Sequence, residues 1–494
     1  MSSQFACKGL YIGNEWVQPQ SGSMDAVINP ATQEVIATVP VGGRSEVDRA
    51  LDAARQAFDN GPWPRMSPKA RAQILQRLHD GLLRRAAEIA SLIVAEAGAT
   101  QALAASMHFA APLQHFQYFI DLLVKRDFAQ PVEVQAVPGF TGGKVLAAHV
   151  KVYEPIGVVA GITAYNFPFF LNLVKVAPAL AAGNTIILKP SPYTPLEALV
   201  IAEVAEEVGL PPGVLNVLTG DATVGEALTT DPRVDQVSFT GSDVVGAKIM
   251  AQAAPTLKRI QLELGGKSAL IVCADADLEA AATAGLINFT VQAGQGCVLA
   301  TRAIVHNSVK AQYVDTVARM ARQMKLGNPT DPSVQMGPLI RDAQRARVER
   351  FVQSGLDSGA RLVCGGRRPK GLDQGFFYEP TLFDDVDNSS EIAQEEIFGP
   401  VGVVIGFDTD EEAIRIANDS KYGLGGGVFS RNVGHAYEMA LRLRTGGVSI
   451  NGGAGAMSSK APFGGVKRSG IGREYGEEGL NEYLQIKTID FHGG

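Results

Sequence analysis

The chain has 494 residues, 46% of them apolar and 19% charged, too long for one ordinary core and too apolar for disorder. Its formal net charge of −7, without any basic stripe, argues against a nucleic-acid partner. Four scattered cysteines with no CxxC pair argue against a disulfide framework or zinc site, and neither a secretory leader nor a membrane span is evident, so a cytoplasmic protein is expected.

Residues 5–40 alternate short apolar runs with Gly and Pro and are expected to form small strands. Helices follow to about residue 127. Ser45 is the expected cap of one (46–58), while Ser67-Pro68 opens a longer one that closes near Gly98. Residues 138–152 read as a hairpin-like excursion whose edges invite a further strand, from this chain or a partner.

From Val152 strand and helix alternate. Strands are expected at 158–163, 185–189, 214–218 and 236–240, with helices at 168–182, 194–208 and from Ser242. Short apolar strands separated by helices specify βαβ units, a parallel sheet and a ligand edge at the strand C-termini. A second series runs from Lys267 to about Asn451, with strands at 268–273, 303–305, 361–364, 401–405, 425–429 and 447–451. Helices are expected between them at 278–289, 309–324 and 342–358. The last stretch, 482–489, returns to a β pattern and is expected to pair with the 138–152 excursion, suggesting strand exchange between subunits.

The chemistry centres on Val291-Gln-Ala-Gly-Gln-Gly-Cys297, where glycines let the backbone pass close to a ligand beside a single thiol. Such a thiol is either a buried core cysteine or a nucleophile with a backbone N–H ready for an oxyanion. Glu263, in Leu-Glu-Leu-Gly-Gly-Lys at the seam of the two series, is a candidate general base or an ion-pair partner of Lys267. Asn166, after a strand, is an oxyanion donor or a helix cap. Lys189 ends a strand on the expected ligand edge. Gly241-Ser242 could seat a phosphate on a helix N-terminus, although no G-x-G-x-x-G fingerprint occurs. Glu395-Glu396 alone would pass as a solvated turn, and 461–474 has the flexibility of a loop folded over a site.

Taken together these stretches resemble the aldehyde dehydrogenase superfamily from about residue 7 to 490. The matching pieces are Tyr-Asn-Phe-Pro (165–168), Lys-Pro-Ser (189–191), Phe-Thr-Gly-Ser (239–242), Leu-Glu-Leu-Gly-Gly-Lys (262–267), Gly-Gln-Gly-Cys (294–297), Glu-Glu-Ile-Phe-Gly-Pro (395–400) and Pro-Phe-Gly-Gly (462–465). Each is short, and the force lies in seven of them in order.

The resemblance implies an α/β fold of two doubly wound parallel-sheet domains with a small β oligomerisation arm. It puts a Rossmann-like cofactor-binding domain at 1–130 and 152–265, a catalytic domain at 266–467, and the arm and C-terminal tail at 131–151 and 468–494. Cys297 is implied as nucleophile, Asn166 and the Cys297 N–H as oxyanion donors, and Glu263 as the base that activates water against a thioester. Glu474 and Lys175 match positions linked with proton relay.

The implied cofactor is NAD. Lys189 matches a ribose lysine, Ser242 a pyrophosphate contact, and Glu396 with Phe398 the nicotinamide-ribose side. Ile162, Thr163, Tyr165, Ser191, Gly220, Gly225, Phe239, Gly241, Leu264 and Gly265 complete that set. Pro192 stands where NAD-preferring relatives often carry a ribose-binding Glu, which leaves NADP admissible.

Positions matching the substrate channel are Phe167, Phe170, Val174, Gly296, Val298, Leu299, Gly455, Met457 and Phe463, all apolar or glycine. That lining points to a hydrophobic aldehyde (medium-chain, aromatic or terpenoid) and disfavours semialdehydes and betaine aldehyde. The alternatives are a CoA-acylating enzyme, disfavoured by the presence of Glu263, and a catalytically silent relative. The resemblance further implies a homo-oligomer, a tetramer more than a dimer.

Overall fold

Short runs without charge at their centre fold as strands covered on both faces, and four form the middle of the first sheet: Val158–Ile162 (β1), Thr185–Lys189 (β2), Leu215–Val217 (β3) and Gln236–Thr240 (β4). The computed structural model describes residues 5–452 and 458–491. With Arg259–Glu263 (β5), these strands run parallel in the order β5-β4-β1-β2-β3. Short antiparallel strands close both edges: Gly470–Ile471 beside β5, and Leu10–Ile12 with Glu15–Val17 beyond β3. Alternate residues enter two separate cores, Val159, Ile186 and Leu188 on one face, Val158, Ala160 and Ile187 on the other. Each such valine, leucine or isoleucine contributes about 1.5–3 kcal/mol by burial.

The second sheet has seven strands, with Ala269–Val272 (β6), Arg302–His306 (β7), Val401–Phe407 (β8) and Gly425–Phe429 (β9) at its centre. It too is parallel except for the edge strand Arg361–Cys364, and it too divides its side chains between two cores. The fold is therefore α/β with two doubly wound parallel sheets.

Several expectations need correction. The first long helix, Arg44–Asp59, is capped by Gly43 and not by Ser45. Glu46 accepts from the Gly43 N–H at 2.7 Å, and the Ser45 hydroxyl is spent donating to Glu46 at 2.8 Å. The helix expected from Pro68 to Gly98 is two, Pro68–Arg84 and Ala86–Ala97. The break falls at Arg85, whose guanidinium is tied to Glu88 and Glu203.

The excursion is longer than expected, Ala129–Pro138 and Lys144–Pro155, and Leu484–Phe491 adds to it antiparallel within the same chain, from Leu484↔Pro155 to Phe491↔Ala148. The residues from 468 to 483, expected in the tail, return to the first sheet instead. Gly470–Ile471 pairs with β5, and Leu480 and Tyr483 are buried in the core beneath it. Gly470 has to be glycine there, because a Cβ would lie 1.9 Å from the Leu262 carbonyl oxygen.

Candidate active site

In the order β5-β4-β1-β2-β3 the chain winds one way from β1 to β3 and the other way through β4 and β5, so the crevice opens between β1 and β4. Asn166 follows β1, Ser242 follows β4, and Glu263 ends β5. All three therefore stand at one edge of the sheet.

The thiol is brought to that edge by the second unit. The helix Leu278–Thr290 ends in a tight turn in which Gln292, Ala293 and Gly294 have φ of 49°, 52° and 72°. Two successive left-handed residues that are not glycine are strained, and packing holds them. A Cβ on Gly294 would lie 2.1 Å from the Gly399 oxygen, and one on Gly266 would lie 2.4 Å from the Cys297 oxygen. Gln295 donates to the Gln292 carbonyl at 3.0 Å and accepts from the Ile340 N–H at 3.1 Å. Asn166 Nδ2 reaches across the seam to donate to the Gln295 carbonyl at 2.9 Å.

Cys297, Glu263 and Asn166 thus come from three distant segments to line one cavity of about 990 Å³. Glu263 is 2% exposed, and neither of its carboxylate oxygens has a hydrogen-bond partner. Lys267 Nζ is unpartnered too, so the ion pair weighed for these residues does not form. Burial, then the neighbouring Glu474 charge, holds the Glu263 carboxyl well above the usual carboxylate range, with Lys175 opposing. Burial and the charges of Glu263, Glu396 and Glu474 push the Cys297 thiol up as well. The thiol thus shares its cavity with an unpartnered buried carboxylate.

Glu474 also lines the cavity, and Lys175 lies behind it. The Lys175 ammonium donates to Glu474 Oε1 and Ser238 Oγ, each at 3.1 Å. Ser238 in turn donates to Gln261 at 2.7 Å and accepts from the Tyr483 hydroxyl at 2.9 Å. This network connects the cavity floor to the returning C-terminal segment.

Of the candidate cofactor residues, Tyr165, Gly241, Ser242, Gly265, Glu396 and Phe398 line the cavity. Ser242 caps the helix Asp243–Ala253, accepting from the Val245 N–H at 3.3 Å. Glu396, far from a solvated turn, accepts from the Gly266 N–H at 3.0 Å and is pushed up to about 7 by burial. A Cβ on Gly265 would meet this carboxylate at 2.3 Å.

Ile162, Thr163, Lys189, Ser191, Gly220, Gly225, Phe239 and Leu264 do not line the cavity. Several stand just beyond it: Ile162 pairs with Lys189 in the sheet, the Thr163 N–H donates to the Lys189 carbonyl at 3.2 Å, and Gly225 lies against both side chains. Burial lowers the Lys189 ammonium to about 8. Gly220 packs on Val224, Phe239 covers Gly241, and Leu264 covers Gly246.

Among the channel candidates, Phe167, Phe170, Gly296, Val298, Leu299 and Phe463 line the cavity. Val174 lies directly behind this lining, packed with Phe170, Leu171 and Tyr475, which do line the cavity. Gly455 and Met457 lie outside the described residues.

Sequence reading missed Tyr475, Met107, Thr240, Gln344 and Arg347, which also line the cavity. Tyr475 adjoins Glu474 and had a positional signal. Met107 had none, because it is aimed inward by a π-helical segment, Ala104–Ala110, inside a run read only as helix.

Comparison with known proteins identifies the family. The family model for the aldehyde dehydrogenase family matches residues 16–489. The betaine aldehyde dehydrogenase of Bacillus subtilis (strain 168) is 40% identical over 490 residues, 97% of this chain and 96% of that protein. An aldehyde dehydrogenase of Mycobacterium tuberculosis, solved with NAD+, superposes with a TM-score of 0.92 at 44% identity, covering 98% of this chain and 97% of that one. A mutant aldehyde dehydrogenase C of Pseudomonas syringae, solved with NAD+ and octanal, gives 0.92 at 41% identity, covering 98% and 96%. With matching motifs, two matching sheets and a cysteine-carboxylate-amide cavity between them, the chain belongs to the aldehyde dehydrogenase family.

Proposed function

We propose that the protein oxidises a hydrophobic aldehyde to its carboxylic acid with NAD, through a thioester on Cys297. The observation that carries this reading is the meeting of Cys297, Asn166 and an unpartnered Glu263 in one cavity.

The residues present fit a dinucleotide. The cavity runs past the β1–β4 crevice, where Gly241, Ser242 and Gly265 line it, and Thr240 Oγ1 is buried without a partner. Ser242 would meet the pyrophosphate at its helix N-terminus, Glu396 the nicotinamide-side ribose, and Lys189 the adenosine ribose. When bound, the nicotinamide accepts the hydride from the aldehyde carbon. Pro192 offers the adenosine ribose neither a carboxylate acceptor nor a charge repelling a 2′-phosphate, so NADP is tolerated beside NAD.

Glu263 takes the thiol proton, and the Cys297 sulfur adds to the carbonyl carbon. Asn166 Nδ2 and the Cys297 N–H donate to the resulting oxyanion. Glu263 gives the thiol proton up to solvent through the cavity and is again a carboxylate when, after oxidation, it removes a proton from water, which attacks the thioester, expels the Cys297 thiolate and frees the acid. Glu474 and Lys175 hold a buried ion pair where that proton can be passed inward.

A panel of aldehydes followed by absorbance at 340 nm tests the reading. Octanal and benzaldehyde are expected to exceed acetaldehyde and betaine aldehyde in kcat/KM by about tenfold or more, since each buried methylene is worth about 0.8 kcal/mol. NAD is expected to be used with NADP as a slower alternative, and acid to be released without CoA. A preference for acetaldehyde or betaine aldehyde would overturn the substrate class.

The three-stranded sheet exposes Val134, Val145, Leu146, Ile486 and Phe491. Apolar sheet surface of this kind is expected at a subunit contact, and a homo-tetramer built through it is the assembly we propose. Val145→Glu together with Leu146→Glu should convert the oligomer to smaller species by light scattering. An unchanged mass would remove this sheet from the interface.

A further inference from the structure

Four aromatic side chains meet at one wall of the cavity, His115 from behind it. The Tyr475 ring centroid lies 4.1 Å from that of His115 and 5.4 Å from that of Phe463, with interplanar angles of 42° and 34°. Phe170 stands edge-on to both Tyr475 (5.9 Å, 83°) and His115 (5.6 Å, 71°). Tyr475, Phe170 and Phe463 all line the cavity that Cys297 and Glu263 share.

The backbone is bent to make this contact. Tyr475 has φ of 62°, a left-handed conformation costly for a bulky residue and retained only where its surroundings require it. Immediately before it, Phe463 and Glu474 exchange backbone hydrogen bonds at 2.7 and 2.6 Å. The left-handed turn then sends the tyrosine ring to His115 while the Glu474 carboxylate reaches Lys175.

We propose that Tyr475, backed by His115 and joined by Phe170 and Phe463, forms an aromatic collar that makes planar, conjugated aldehydes of the benzaldehyde and cinnamaldehyde type the preferred substrates, with Tyr475 the specificity-determining residue. The proposal rests on the aldehyde-oxidising reading above and narrows its substrate class.

Tyr475 is only 3% exposed, and its ring packs against His115, Phe463 and Phe170 while lining the cavity. An aromatic pair, offset or edge-to-face, is worth about 0.5–1.5 kcal/mol beyond the area it buries, which a planar substrate ring gains against this collar and an alkyl chain does not. Burial lowers the His115 imidazole to about 4, so the collar bears no charge of its own at neutral pH.

The test compares kcat/KM for benzaldehyde and cinnamaldehyde with that for hexanal and octanal in the wild type and in Tyr475→Leu, Tyr475→Phe and Phe463→Leu. The wild type should favour the aromatic pair. Tyr475→Leu should lower the aromatic-to-aliphatic ratio roughly tenfold, the size of one lost ring contact, while Tyr475→Phe keeps it. Phe463→Leu should lower the ratio in the same direction and serves if Tyr475→Leu does not fold. A wild type that prefers hexanal or betaine aldehyde, or a ratio that neither leucine variant moves, overturns the collar. In either case continued oxidation of hexanal leaves the aldehyde-oxidising reading intact. Loss of that reading would instead appear as no wild-type turnover of any aldehyde.

Discussion

Cys297→Ala is expected to lower kcat for aldehyde oxidation by about 10⁴-fold or more, the usual scale for removing a nucleophile that acts as a unit with its base. The expectation follows from the placement of the thiol. Gly266 and Gly294 allow the loop to press against its neighbours, and the Asn166 amide fixes the Gln295 carbonyl two residues before the sulfur. Alanine fits the same backbone, so the variant should fold and still bind NAD, as read by quenching of its intrinsic fluorescence. Substantial 340 nm turnover in well-folded Cys297→Ala would end the thioester mechanism.

Glu263→Gln is expected to separate the two halves of the reaction. It removes the unpartnered carboxylate and keeps its shape. Steady turnover should fall about 10²–10⁴-fold, the scale of general-base catalysis. If water activation is the greater loss, one equivalent of NADH should form before turnover stalls. The pH profile supplies the sign. A carboxyl held above its usual range is still protonated where an exposed glutamate would be ionised, so the acid limb of kcat should lie above the ordinary carboxylate range. Raising pH through that value should restore activity in the wild type, and Glu263→Gln should lack this limb. Above that pH its melting temperature should be equal to or higher than the wild type's, because a buried charge without a partner has been removed. An acid limb that survives in the variant would assign the base elsewhere.

The strands at the sheet centres were legible because they are short apolar runs between Gly, Pro and helix caps. β1, β2 and β4 begin and end within a residue of the expectation. β5 was not seen as a strand, since Arg-Ile-Gln-Leu-Glu alternates polar side chains that are satisfied only by the folded network: Gln261 accepts from Ser238 and donates to the Arg473 carbonyl. The same cause hid the true course of residues 468–483, whose partners lie some two hundred positions earlier in the chain. Within the candidate site, motif residues on strand ends were legible, because a βα unit places its C-terminal loops on one edge. Ser45 was misread because the helix begins two residues earlier than expected: Glu46 reaches back to the Gly43 N–H, and the Ser45 hydroxyl donates to Glu46.

The return of Gly470–Ile471 to β5 has a bearing on protein engineering. Ser469 Oγ donates to the Gly265 carbonyl at 2.7 Å, and Asn184 Nδ2 donates to the Tyr483 carbonyl at 2.8 Å. The first α/β unit is therefore completed by residues that follow the whole second unit in the sequence. A fragment cut after Lys267 would lack an edge strand and two buried side chains of its own core, and would expose β5 to aggregation. Grafting this nucleotide crevice onto another scaffold calls for a circular permutation that carries 468–483 along with it.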